Sequence, residues 1–166
     1  MSSEYVVREA TLGDVDVLAH HRAAMFHDMG KLPEVLVAAM ADASSLFIAR
    51  AMSDGEYHAW LASPAEDPGT IVAGAGLQLR AAMPTIRMDH GSTTIAHGAQ
   101  GIIVNVYTEP AHRRHGVARL LMEHVIRHGR PKCPGGIVLH ASDEGRPLYE
   151  SLGFIPTNEM RLTARS

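Results

Sequence analysis

Asn105-Val106-Tyr107-Thr108-Glu109-Pro110-Ala111-His112-Arg113-Arg114-His115-Gly116-Val117-Ala118 runs from a β-branched strand through a proline turn into a basic, glycine-containing helix start. Upstream, Gly101 to Thr108 carries Ile102, Ile103, Val104, Val106 and Tyr107, the near-continuous apolar run of a strand covered on both faces. Glu109 and Pro110 end it. Downstream, from about Arg114 to His128, the residues Val117, Leu120, Leu121 and Val125 recur on one face of an amphipathic helix. The spacing therefore predicts a strand–turn–helix unit whose helix begins at the arginine-rich turn.

A helix start is an anion site before any side chain is counted, because its first four N–H groups lack internal partners and sit at the positive end of the macrodipole. Arg113 and Arg114 add charge, Gly116 lets a pyrophosphate approach the backbone, and Ala118 keeps the first turn slim. The expected ligand is anionic and phosphorylated. A basic turn with one glycine is equally at home as a plain surface connection, and this stretch alone leaves both readings open.

The second half of the chain changes the balance. Arg113-x-x-Gly116-x-Ala118 is followed by an apolar strand, Ile137-Val138-Leu139-His140, and then by Leu148-Tyr149-Glu150-Ser151-Leu152-Gly153-Phe154. In this order the motifs resemble the GNAT N-acetyltransferase superfamily, tightly over about residues 101–156 and by order of elements elsewhere. The resemblance implies an α/β (α+β) fold: one domain over residues 1–166, with a mixed central sheet, antiparallel N-terminal strands and flanking helices. It implies acetyl-CoA as cosubstrate, with the pyrophosphate on the loop Arg113, Arg114, His115, Gly116, Val117 and Ala118. The thioester carbonyl would lie on main-chain groups of Val106, Tyr107 and Thr108, and Tyr149 would protonate the departing thiolate. Where family members often carry a cofactor-holding asparagine, seven residues before the tyrosine, this chain has Ser142, a shorter group that can still hydrogen-bond. Where some members place a glutamate or histidine base, it has Ile102 and Val104, so no base carries over.

Composition bounds the rest. With 166 residues and 46% hydrophobic content the chain suits one core, and a formal charge of −3 argues against a general nucleic-acid binder. The lone Cys133 excludes an internal disulfide and is read as an inert loop thiol. The most apolar region, Val35 to Met52, is broken by Asp42, Ser44, Ser45 and Arg50, so no membrane span is expected. Met1-Ser2-Ser3-Glu4 lacks the features of a signal peptide, which gives a cytoplasmic expectation.

Along the chain, Tyr5–Glu9 reads as a strand, then Thr11 as an N-cap for a helix with Val15, Leu18, Ala19 and Met25, closed at Met29-Gly30. A second helix is expected from Pro33 to about Ala43 or beyond, followed by an antiparallel pair, Tyr57–Ala62 and Ile71–Leu79. Arg80 to Gln100 has no clear period and is expected to be a long irregular connection over the acceptor site or an interface.

Acyl transfer to an amine needs a neutral nucleophile, a polarised carbonyl and a proton for the thiolate. On its own helix Tyr149 sits about 100° from Leu148, at the edge of the Leu148/Leu152 stripe, so packing and acid roles compete, and the full motif favours the acid. Asn105 could orient an acceptor but cannot take a proton at neutral pH, while His27, Asp28, Glu34 and Glu109 are candidate bases by position only. His20 and His21 cannot face the same way and are read as surface or acceptor-side residues. His124 and His128 share a helix face without a third ligand, so no metal is expected. The reading is an N-acetyltransferase acting by direct attack of an amine on the thioester, with an amine-bearing small molecule or peptide as acceptor, no nucleic-acid or membrane partner, and a homodimer possible. The alternative is a non-catalytic acyl-CoA-binding or sensor module.

Overall fold

Five strands lie in one sheet in chain order: β1 (Tyr5–Glu9), β2 (Tyr57–Pro64), β3 (Ala73–Asp89), β4 (Ser92–Thr108) and β5 (Ile137–Leu139). The first four pair antiparallel, and β5 joins β4 in parallel over Gly101–Ile103 against Ile137–Leu139. Parallel pairing needs a crossover, and the helix α3 (Val117–Gly129) supplies it. Helices α1 (Val15–Asp28) and α2 (Val37–Ser53) cover the other face, and α4 (Arg146–Ser151) follows β5. The computed structural model describes residues 4–157 and 159–163, so Met1-Ser2-Ser3, on which the reading of a missing signal peptide partly rests, lie outside the described residues.

Two apolar clusters form, one on each face of the sheet. Trp60, Ala75, Leu77, Ile103 and Cys133 meet Val117, Leu121, Met122 and Val125 of α3, whose buried positions follow the helical period. On the other face Tyr57, Ala59 and Leu61 of β2 pack against Leu18 of α1 and Ile48 and Ala51 of α2. β4, carrying both layers, alternates buried with half-buried residues from Gly101 onward.

Two expectations need correction. Arg80–Gln100 is no irregular connection: β3 and β4 continue through it as a hairpin arm, turned at His90 (φ 47°) and Gly91 (φ 83°). Two consecutive left-handed residues make the tight turn that matches strand twist, and a register shift between Ala82 and Thr85 hides the period from a sequence pattern. The crossover helix starts at Val117 rather than Arg114, because Arg114 (φ 67°) and Gly116 (φ 81°) are left-handed. The second helix, expected to run to Ala43 or beyond, extends to Ser53. With its leading 3₁₀ turn it forms a 20-residue segment, Glu34–Ser53, of mean hydropathy 1.6, long and apolar enough by composition to cross a membrane. Its inner stripe of Ser44, Ile48 and Ala51 is buried in this fold, whereas Val35, Leu46 and Phe47 face outward.

Thr11 caps less directly than expected. It precedes a 3₁₀ turn, Leu12–Asp14, and its N–H and hydroxyl both donate to the Asp14 carboxylate, which also receives two bonds from Arg8. The Arg8 guanidinium holds that carboxyl well below the usual range.

Candidate active site

β4 and β5 run together only as far as Ile103 and Leu139; beyond that point β4 continues alone toward the basic loop. At Asn105 the strand bulges: its φ is 59°, and the register against β3 slips between Gly74 and Gly76. Asparagine tolerates left-handed φ better than other non-glycine residues. Its amide nitrogen donates to the carbonyl of Leu18 in α1 at 2.9 Å, which ties the bulge to the helix above it. Val106, Tyr107 and Thr108 follow, and the main chain at Tyr107 and Thr108 pairs with Gly74 and Ala73 of β3 on one side only, so the opposite edge faces the gap between β4 and β5.

At the end of β4 the chain makes a 3₁₀ turn, Pro110–His112, then the left-handed pair that opens α3. Gly116 occupies the N-cap position, so the helix has no side-chain cap, and the first amide bonded back within the turn is that of Leu120, to the carbonyl of Gly116. A Cβ on Gly116 would meet nothing within 4 Å. The open amides and the free space above them fit a phosphate group. Arg114 and His115 are exposed beside them, Val117 is buried beneath, and Ala118 is half-buried.

Arg113 does not point into this cradle. Its guanidinium pairs with Asp28 at the end of α1, donates through Nε to the Thr108 carbonyl, and lies over the Tyr107 ring. The bond to Asp28 raises its already high pKa further. The side chain fixes the loop to α1, and the positive charge left at the cradle is that of Arg114.

Tyr149 lies on α4, partly buried against the α3-face core and edge-to-face with Phe154 at 6.3 Å. Burial raises its phenol pKa, and its hydroxyl has no partner among the described residues. The ring leans on Gly145, where a Cβ would come within 2.8 Å. Ser142 accepts the Gly145 amide at 3.1 Å and so starts α4, a structural duty not foreseen for it. Gly153 (φ 92°) ends the helix and Phe154 anchors it against the core.

On the α1 side, a cavity of about 430 Å³ opens between α1 and α2. Asp16 and His20 of α1 face Glu34, Asp42 and Ser45 across it, over a floor of alanines. His20 reaches Glu109 at 3.2 Å, and the Tyr107 hydroxyl reaches both Asp28 (3.4 Å) and Glu109 (3.5 Å). Burial pushes the Tyr107 phenol up to about 12. Of the four candidate bases, Glu34 lines the cavity and pairs with His27 at 3.0 Å, Asp28 is taken up by Arg113, and Glu109, outside the lining, bonds His20 of the cavity wall.

His21, read as a surface or acceptor-side residue, is completely buried. It rests over Gly74, whose missing Cβ would lie 2.9 Å from Nδ1, and its ring lies tilted beside that of Tyr107, centroids 5.1 Å apart. Burial lowers its pKa to about 4, which keeps it neutral. Both its ring nitrogens, the Tyr57 hydroxyl and Asn105 Oδ1 are buried without hydrogen bonds among the described residues, although His21 Nε2 lies 4.0 Å from the Glu109 carboxylate. A polar residue in an otherwise apolar strand was the available sequence signal for this buried patch. Of the helical pair read as unliganded, His128 stacks on Trp60 and His124 bonds Leu120, and no group of three metal-binding side chains occurs among the described residues.

The acetyltransferase (GNAT) family model matches residues 23–154. The chain belongs to the GNAT acetyltransferase family. A GCN5-related N-acetyltransferase from Ralstonia eutropha JMP134 superposes with TM-score 0.79 at 29% identity, covering 96% of this chain and 98% of that one. A predicted acetyltransferase from Clostridium acetobutylicum, solved with acetyl-CoA, gives TM-score 0.79 at 24% identity over 96% of both chains. The aminoglycoside N-acetyltransferase AAC(6')-Iy, solved with CoA, gives 0.64 at 19% identity over 99% of this chain and 97% of that one. The last two share the GNAT fold. A search of curated proteins gave no match.

Proposed function

We propose that this chain is an acetyl-CoA-dependent N-acetyltransferase that moves the acetyl group to an amine by direct attack. The observation carrying the reading is the uncapped start of α3, with Arg114 and Gly116 left-handed and open space where a Cβ on Gly116 would sit, at the point where β4 leaves β5. Arg114 through Ala118 would hold the pyrophosphate, and the free edge of Val106 to Thr108 would receive the thioester carbonyl. Two similar proteins were solved with acetyl-CoA and CoA, which supports the choice of cosubstrate.

The acceptor amine would enter from the cavity between α1 and α2. Its ammonium proton would pass to the His20–Glu109 pair and the neutral nitrogen would attack the carbonyl; as the C–S bond breaks the sulfur would take the Tyr149 proton, and the second proton shed by the new amide nitrogen would restore the phenol through solvent. A phenol raised by burial stays protonated at neutral pH and serves as an acid. The acidic wall of Asp16, Glu34 and Asp42 favours a cationic acceptor. A cytoplasmic location belongs to the same proposal. The test is a screen of amines, aminoglycosides and peptides for release of free coenzyme A thiol. Acetyl-CoA binding without thiol release on any amine would instead support the sensor module.

A further inference from the structure

The hairpin arm carries a surface that the reaction does not use. From Ala81 to Ala99 it contributes nothing to the cavity between α1 and α2, yet the side chains of Met83, Ile86, Met88 and Ile95 are exposed by 86%, 68%, 76% and 75%. Ile86 pairs with Ile95 and Met88 with Thr93, so these residues share one face, beside Met83 at the register shift. On the opposite face Ala96 is buried, and Arg87 donates to the Pro134 carbonyl at 2.7 Å. The arm is thereby fixed to the body of the protein with its apolar face outward.

Four such side chains amount to roughly 500 Å² of apolar surface, near the upper end of the largest patch on an ordinary monomer (about 300–600 Å²). We propose that this face packs against the same face of a second copy, giving a two-fold dimer joined arm to arm. Doubled across a two-fold, the patch reaches roughly 1,000 Å², the smallest area expected of a specific interface. Charge agrees: the chain carries −3, but the arm holds only Arg87 and Asp89, which cancel, and Arg87 is engaged with Pro134. Copy can therefore face copy without like-charge repulsion. An uncharged face rich in Met and Ile matches the more apolar character of homodimer interfaces, and the neighbouring arginines are engaged elsewhere, Arg87 on Pro134 and Arg80 on Gln100, unlike the free basic rim of a membrane-surface site.

Sedimentation velocity on the full chain, from low micromolar to several hundred micromolar, tests this. A concentration-dependent dimer is expected, and the double variant Ile86→Lys/Ile95→Lys should weaken it by about 100-fold. Circular dichroism and acetyl-CoA binding report on the fold, and Met88→Lys, nearer the tip, serves if the double variant fails to fold. A parent that stays monomeric throughout overturns the proposal, whether or not it sediments with neutral phosphatidylcholine vesicles. So does a dimer indifferent to arm substitutions but broken by Leu46→Lys/Phe47→Lys on α2. None of these readouts needs turnover, so the dimer and the proposed reaction fail independently.

Discussion

Arg113, the first residue of the phosphate-loop motif, turns its guanidinium away from the loop and onto Asp28 at the end of α1. One motif position thus joins the two halves of the site, the anion cradle and the helix that borders the acceptor cavity. Arg113→Ala should leave acetyl-CoA affinity within about threefold while lowering stability by about 1 kcal/mol or less, the scale of a partly exposed pair. Arg114→Ala, which removes the charge beside the cradle, should weaken binding by about 10-fold with little effect on stability. Isothermal titration and urea unfolding on both variants separate the two; the reverse ranking would place the Arg113 side chain on the phosphates.

Gly116 offers a sharper test of the cradle. Its φ of 81° strains any L side chain by about 1–2 kcal/mol, although the space around it is open. Gly116→Ala should therefore show only that strain. Gly116→Glu adds a negative charge where the phosphates would lie and should abolish acetyl-CoA binding in a folded protein. Retained affinity in a folded Glu variant would move the pyrophosphate elsewhere.

Tyr149→Phe keeps the ring on Gly145 and Phe154 but removes the proton. Turnover should fall by about 10²–10³ with acetyl-CoA affinity nearly unchanged. Steady-state kinetics on an identified amine decides it: near-full activity would return Tyr149 to packing alone, and a joint loss of stability and affinity would make it structural.

Much of this was readable in the chain because local pattern and local structure agree. The Ile/Val run of β4, the apolar stripe of α3 and the Leu-Tyr-Glu-x-Leu-Gly-Phe turn each state their element within a dozen residues. What escaped depends on long-range placement. Arg113 meets Asp28 across 85 positions, and the burial of His21 follows from Gly74 of β3 arriving beneath it, which no property of α1 announces. The arm was missed for a local reason: its register shift at Ala82/Thr85 breaks the alternation that a strand pattern relies on.

His21 should make stability depend on pH. Its folded-state pKa of about 4 lies below the ordinary 6.5. Above pH 6.5 both folded and unfolded chains hold it neutral. As pH falls from 6.5 toward 4, the unfolded chain takes up a proton that the fold refuses, so stability drops, by about 3 kcal/mol over the window. Loss of the depressed Asp14 carboxylate lies lower still, below its ordinary 3.8. Urea midpoints at pH 7, 5.5 and 4.5 should fall less steeply for His21→Gln than for the parent; parallel curves would mean that His21 protonates within the fold.

Strand order equal to chain order has a consequence for how the molecule comes into being. β2, β3 and β4 each pair antiparallel with the strand made just before, and the β3–β4 hairpin closes on the nearest contacts available. β5 cannot join until the whole crossover has been made. The antiparallel part of the sheet, β1 to β4, can therefore form first, and the edge on which β4 and β5 part is the last region of the sheet to assemble.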